Sequence, residues 1–171
     1  MRERGSGNVD GDSLKGLAAG VIGGLVAAWT MSQFQNLLTK LTEDGGSSDS
    51  GGGDEPATVK AAEAVSENVF GHELAKSEKP AAGEAAHYAM GAASGAIYGV
   101  MSEFAPTFTV GAGIPFGGAV WLIADNITVP MLGLSKAPTE YPLTTHAYAL
   151  TSHMVFGLTT EIVRGAVRRT L

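Results

Sequence analysis

One stretch limits what this chain can become: TVGAGIPFGGAVWLIADNITVPMLGL, residues 109–134. Nothing from Phe104 to Ala124 carries a formal charge; then Asp125 appears, and a second apolar run follows that Pro130 closes. About 20 apolar residues at 1.5 Å each cross a bilayer core of about 30 Å. A carboxylate at the end of such a run is costly in lipid and requires a partner.

Three further stretches share this character. Residues 14–38 carry Gly16, Gly20, Gly24 and Ala28 at four-residue spacing. Residues 83–104 carry Gly91, Gly95 and Gly99 at the same spacing. Small residues so placed let two helices approach closely, and the two ladders predict packing of the first span against the second. The third span, 109–130, has Gly113, Gly117, Trp121 and Asp125 on one slowly drifting face. The fourth, 143–163, is the least apolar. It sets His146, Leu150, His153, Gly157 and Glu161 close to one stripe, with Arg164 one turn beyond Glu161. The expected fold is therefore all-α: an integral membrane four-helix bundle, with packing glycines Gly20, Gly24, Gly91, Gly95, Gly99, Gly117 and Gly157.

Composition agrees. Among 171 residues are 24 Gly and only 16% charged residues, too few charges for the outward faces of a soluble helical domain. The net charge of −6 argues against nucleic acid as a partner. The absence of Cys excludes disulfides, thiol catalysis and Cys-based zinc sites. The 24 uncharged residues from Gly16 to Thr39 are too many for a signal h-region, so they are read as a retained span.

The segments between spans read as follows. Residues 1–13 form a polar tail. Residues 39–82 form an acidic loop, with TEDGGSSDSGGGDE (42–55) a flexible linker by composition. Within that loop an amphipathic helix is expected over 56–70, capped by the acidic residues before Pro56 and stopped at Gly71. It presents Val59, Ala62, Val65 and Val69 on one face and lies at the membrane interface or docks on the bundle. Residues 164–171 form a basic tail. All five Arg are in the terminal segments, whereas the long loop has four Lys against nine carboxylates between Glu43 and Glu78. The positive-inside rule then places both termini in the cytoplasm.

Alternating span direction brings His87, Asp125, His146 and His153 toward the long-loop side, and Glu103, Glu161 and Arg164 toward the other. His87, Asp125, His146 and His153, with Glu161, are the candidates for a proton relay or a pH sensor, because histidine titrates near neutrality and intramembrane carboxylates mark proton paths. Two other readings stand beside this one. Asp125 and one His can form a polar contact that only locks the bundle. Three His and one Asp also match a metal set by type, but His146 and His153 stand roughly 10 Å apart along a helix, so no metal is assigned. Asn126-Ile127-Thr128 fits a glycosylation sequon by accident of an apolar span. There is no P-loop, no dinucleotide fingerprint and no serine triad, so no catalytic residue and no cofactor is assigned.

The segments PATVKAAEAVSE (56–67), HYAMGAASGAIYG (87–99), PFGGAVWLIADNITVPMLGLS (115–135) and YPLTTHAYALTSHMVFGLTTEIVR (141–164) resemble the YagU-like inner-membrane protein family. Asp125, Pro130, Gly133 and Leu134 carry one part of the resemblance. His146, His153, Gly157, Leu158, Thr160 and Glu161 carry another. The resemblance implies a multi-pass inner-membrane protein linked to survival at acidic pH, without assigned catalytic residues. The expected function is thus a small inner-membrane protein contributing to acid or envelope stress tolerance through its Asp/His layer. The alternative is a structural membrane subunit that packs through its glycine faces on itself or on a partner subunit. In both, the bilayer is the principal partner.

Overall fold

The computed structural model describes residues 6–42 and 55–171. The chain is helical and, among the described residues, has no strand. α1 (Ser6–Thr42) is followed by α2 (Ala57–Val65), which continues as a π-helical turn over Ser66–Phe70. α3 (Lys79–Phe104) leads through a short 3₁₀ turn to α4 (Ile114–Val120), whose axis continues as a π-helical stretch, Trp121–Thr128, and α5 (Val129–Met131). α6 (Leu143–Arg168) closes the fold.

α1 packs on α3 and on α6, and α6 packs on α4. Each of these pairs is antiparallel, since Gly16 meets Gly99 while Gly24 meets Gly91, Asp12 meets Arg168 while Gly23 meets Thr160, and Gly113 meets Gly157 while Gly117 meets His153. The elements therefore have two common ends. α1, α3 and α6 bring their outer tips (Asp12, Glu103, Arg168) to a terminal end, and the segment 55–78 and the loop 132–142 lie at the opposite, loop end.

Glycine permits the approach. A Cβ on Gly20 would collide with the Gly95 carbonyl, one on Gly24 with the Gly91 carbonyl, and one on Gly99 with the Gly16 carbonyl. Gly113 needs to be glycine on two counts: its φ of 81° lies in the left-handed region, and a Cβ there would enter the Gly157 carbonyl.

The interior is made of small groups. Ala19, Ala27, Ala28, Ser152 and Thr160 are fully buried, with Met31, Tyr98 and Phe156 as the large apolar core side chains of the bundle. The buried hydroxyls bond within their own helix, Ser152 Oγ to the Tyr148 carbonyl at 2.9 Å and Thr160 Oγ1 to the Phe156 carbonyl at 2.8 Å. Large apolar side chains point outward instead: Trp29 is 55% exposed, Ile97 61%, Ile123 58% and Leu143 86%. By length and composition α1 is the one helix, among the described residues, suited to cross a membrane, with mean hydropathy 1.5 over Gly11–Leu41.

Three boundaries differ from the sequence expectation. The N-terminal tail is shorter, because the helix begins at Ser6, and Asp12 meets Arg168 at 3.0 Å. The basic tail from residue 164 is helical through Arg168, because Arg164 and Arg168 find carboxylates beside the bundle. In the loop helix Pro56 occupies the N-cap and no side chain caps it. Glu55 turns instead to Lys79, at 3.1 Å; Asp54 and most of the 42–55 linker lie outside the described residues. Gly71 ends this helix in the left-handed conformation, φ 64°. Of its apolar face only Val59 is buried, against Gly83, while Val65 and Val69 are exposed.

Candidate functional site

The π-helical stretch shapes the site. Wider turns direct polar side chains to carbonyls five residues back. Asn126 Nδ2 donates to the Trp121 carbonyl at 3.0 Å, and Thr128 Oγ1 to the Ile123 carbonyl at 2.9 Å. Such segments are uncommon and cluster at functional positions. Asp125 lies in the middle of this one.

Asp125 faces α6. Its Oδ2 is 3.6 Å from His153 Nδ1, with the Asp125 side chain 40% exposed and that of His153 11%. This is an electrostatic contact, too long for a direct hydrogen bond. His153 Nδ1 also lies 2.9 Å from the Ala149 carbonyl. A carbonyl only accepts, so Nδ1 is the nitrogen that carries the hydrogen in this contact.

The other two candidate histidines are engaged elsewhere. His87 Nε2 donates to the Ala28 carbonyl of α1 at 3.3 Å. His146 Nε2 donates to the Pro138 carbonyl at 2.9 Å, and its ring stands edge-on to Trp121 with centroids 6.1 Å apart. The structure thus brings Asp125 and His153 together and turns His87 and His146 to backbone oxygens. Among the described residues, no three His, Cys, Asp or Glu side chains converge as a metal set.

The terminal end holds a second polar cluster. Arg164 is buried, fork-bonded to Glu161 at 2.7 and 2.8 Å, with its guanidinium 5.8 Å from the Tyr98 ring centre. Arg168 bonds Glu103 at 2.7 and 3.1 Å and Asp12 at 3.0 Å. Glu161 therefore belongs to this cluster and not to the Asp125 layer. Asp12 and Arg168 were not singled out from sequence. The spacing Glu161-x-x-Arg164-x-x-x-Arg168 was the one available signal, for it sets all three on one helical face.

At the loop end Lys79 bonds Glu55 at 3.1 Å and also pairs with Glu63. The Lys79 hydrogen bond holds the Glu63 carboxyl below its ordinary value, and Glu63 and Glu55 hold Lys79 above its own. These contacts tie α2 to the first turn of α3.

A family model described as "Protein of unknown function (DUF1440)" matches residues 64–162. The chain belongs to the DUF1440 family. The match takes in His87, Asp125, His146, His153 and Glu161, and it leaves out α1, Arg164 and Arg168. No curated protein and no solved structure matches the chain. Within this DUF1440 chain, the site therefore has to be read from its own groups: one carboxylate and one imidazole on facing helices.

Proposed function

We propose that this DUF1440 chain is a multi-pass inner-membrane protein whose Asp125–His153 pair takes up and releases a proton, contributing to tolerance of acid or envelope stress. The observation that carries the reading is the contact itself: a carboxylate 3.6 Å from an imidazole, on two helices whose outer faces are apolar. Asp125 is flanked by outward-facing Ile123 and Ile127, at 58% and 46% exposure. A carboxylate between outward-facing apolar residues is retained where it handles charge or locks a partner.

Four membrane spans follow in this reading: α1, α3, the α4–α5 axis and α6. Large apolar residues facing out and glycine, alanine and serine facing in are the arrangement of helices solvated by lipid. α3 and α6 have 26 residues each, about 39 Å at 1.5 Å per residue, which exceeds the hydrocarbon core. The terminal arginines favour cytoplasmic termini. The similarity of its motifs to YagU-like inner-membrane proteins supports the link to acid.

Acid challenge tests the reading. Cells lacking the protein are complemented with wild type or with Asp125→Asn at equal membrane abundance. Wild type restores survival and Asp125→Asn does not. Equal survival would leave the glycine seams as the main feature and favour the structural-subunit reading.

A further inference from the structure

The fold contains the same helical hairpin twice. IYGVMSE (97–103) of α3 aligns with VFGLTTE (155–161) of α6, and GLAAG (16–20) of α1 with GIPFG (113–117) at the start of α4. Side-chain detail repeats in this register. Ser102 Oγ donates to the Tyr98 carbonyl and Thr160 Oγ1 to the Phe156 carbonyl, both at 2.8 Å. Glu103 and Glu161 each take an arginine from the end of α6.

The helix contacts repeat as well. Gly16 is closed off by the Gly99 carbonyl and Glu103, and Gly113 by the Gly157 carbonyl and Glu161. Gly20 is closed off by the Gly95 carbonyl and Gly99, and Gly117 by the His153 carbonyl and Gly157. Two rungs of each seam are thus superimposable in kind. The third differs. In the first hairpin Gly24 sits against the Gly91 carbonyl and Gly95. Continuing the register puts Trp121 in place of Gly24, Ala149 in place of Gly91, His153 in place of Gly95 and Asp125 in place of Ala28. The π-helical stretch begins at Trp121, at this missing rung.

We propose that the chain is a tandem repeat of one glycine-seamed hairpin in which the first copy, α1–α3, is the fixed frame and, in the second, the α4–α5 axis moves against α6, which stays packed on α1. That axis pivots at the Gly117–Gly157 rung, and the half beyond it closes when Asp125 holds His153 and opens when the carboxyl is neutral. This rests on the proton-binding reading above. An indole cannot enter a seam built for glycine, so the helices part beyond the pivot. The π turns supply backbone able to change register, and the Asp125–His153 attraction spans the gap. Other titratable groups toward this end of the fold are His146 and Tyr148 on α6, Glu84, His87 and Tyr88 on α3, and Lys136, Glu140 and Tyr141 in the 132–142 loop; α1 carries none between Lys15 and Lys40.

Paired spin labels test this, since the chain has no native Cys. Leu25→Cys with Ala89→Cys reports on the first hairpin; Leu122→Cys with Ala147→Cys occupies the equivalent, exposed positions of the second. Distances are measured by double electron–electron resonance in lipid nanodiscs at about pH 7.5 and about pH 4.5. The second pair is expected to lengthen by about 2 Å or more in acid while the first stays fixed. Asp125→Asn places the second pair in the acid position at both pH values. Equal behaviour of the two hairpins, or an Asp125→Asn protein that still follows pH as wild type does, overturns the proposal. The distances need no cell phenotype. A rigid second hairpin beside an Asp125-dependent acid phenotype would remove the pivot alone, and a moving hairpin without that phenotype would remove the proposed function alone.

Discussion

Arg164 lies one helical turn beyond Glu161 and grips both of its carboxylate oxygens, Nε at 2.7 Å and Nη2 at 2.8 Å, with only 9% of the arginine side chain exposed. A pair this enclosed is costly to break from one side, because the remaining charge keeps its burial and loses its partner. Arg164→Ala is expected to lower stability by about 3 kcal/mol. Arg164→Lys recovers part of that, since an ammonium keeps the charge but not the planar fork. Thermal unfolding in detergent, comparing the three proteins, checks both statements.

Arg168 behaves differently. Its side chain is 25% exposed and it joins Glu103 to Asp12 near the start of α1. Arg168→Ala is expected to cost roughly 1 kcal/mol, nearer to a surface pair than to a buried one. Its clearer signature is local: amide exchange over residues 6–13 rises while the centre of α1 stays protected. Unchanged exchange there would show that the helix start is held by something else.

The two kinds of glycine in this chain separate by substitution. Gly95→Leu places a side chain into the Gly20 carbonyl and Gly24, and is expected to cost about 3 kcal/mol or more, because backbone cannot yield as a side chain can. Gly118 has open space where a Cβ would go. Gly118→Leu is therefore expected to fold with a change within about 1 kcal/mol. Folded yield and detergent melting temperature distinguish them.

Docking of α2 depends on pH in a window set by Lys79 and its carboxylates. Glu63 is depressed below its ordinary 4.5, so its contribution is present above that value and is lost as pH falls through the lower, folded value. Lys79 is raised above its ordinary 10.5, so its contribution is present below that value and is lost as pH rises through the higher, folded one. Amide protection of residues 57–65 is thus expected to be flat between these limits and to fall on both sides. Lys79→Met should remove the dependence. Persisting pH dependence in that variant would place the control elsewhere.

Much of this arrangement was legible in the sequence. Glycines at four-residue spacing pointed to the α1–α3 seam, since spacing alone sets which residues share a helix face. The contents of the terminal cluster were visible only in part: Glu103, Glu161 and Arg164 are placed by span direction, but Asp12 and Arg168 depend on how far the helices extend past their apolar cores. Of the three histidines expected in one layer with Asp125, His153 meets it at 3.6 Å, and His87 and His146 hydrogen-bond to backbone carbonyls. Direction along a helix gives depth but not azimuth, and His87 and His146 are rotated toward the Ala28 and Pro138 carbonyls. The π-helical stretch, which sets the azimuth of Asp125, has no signal in hydropathy. The repeat of IYGVMSE as VFGLTTE is plain once the glycine contacts show which register to read.

The central claim is that Asp125 handles protons within the bundle, and proton movement across a lipid bilayer tests it most directly. Purified wild type and Asp125→Asn are reconstituted into liposomes holding a trapped pH-sensitive dye, and the outside is acidified in one step. Wild type is predicted to acidify the interior faster than empty liposomes, and Asp125→Asn, folded by its melting curve, to match the empty ones. Wild-type flux at the level of empty liposomes, or flux undiminished in Asp125→Asn, would contradict the claim.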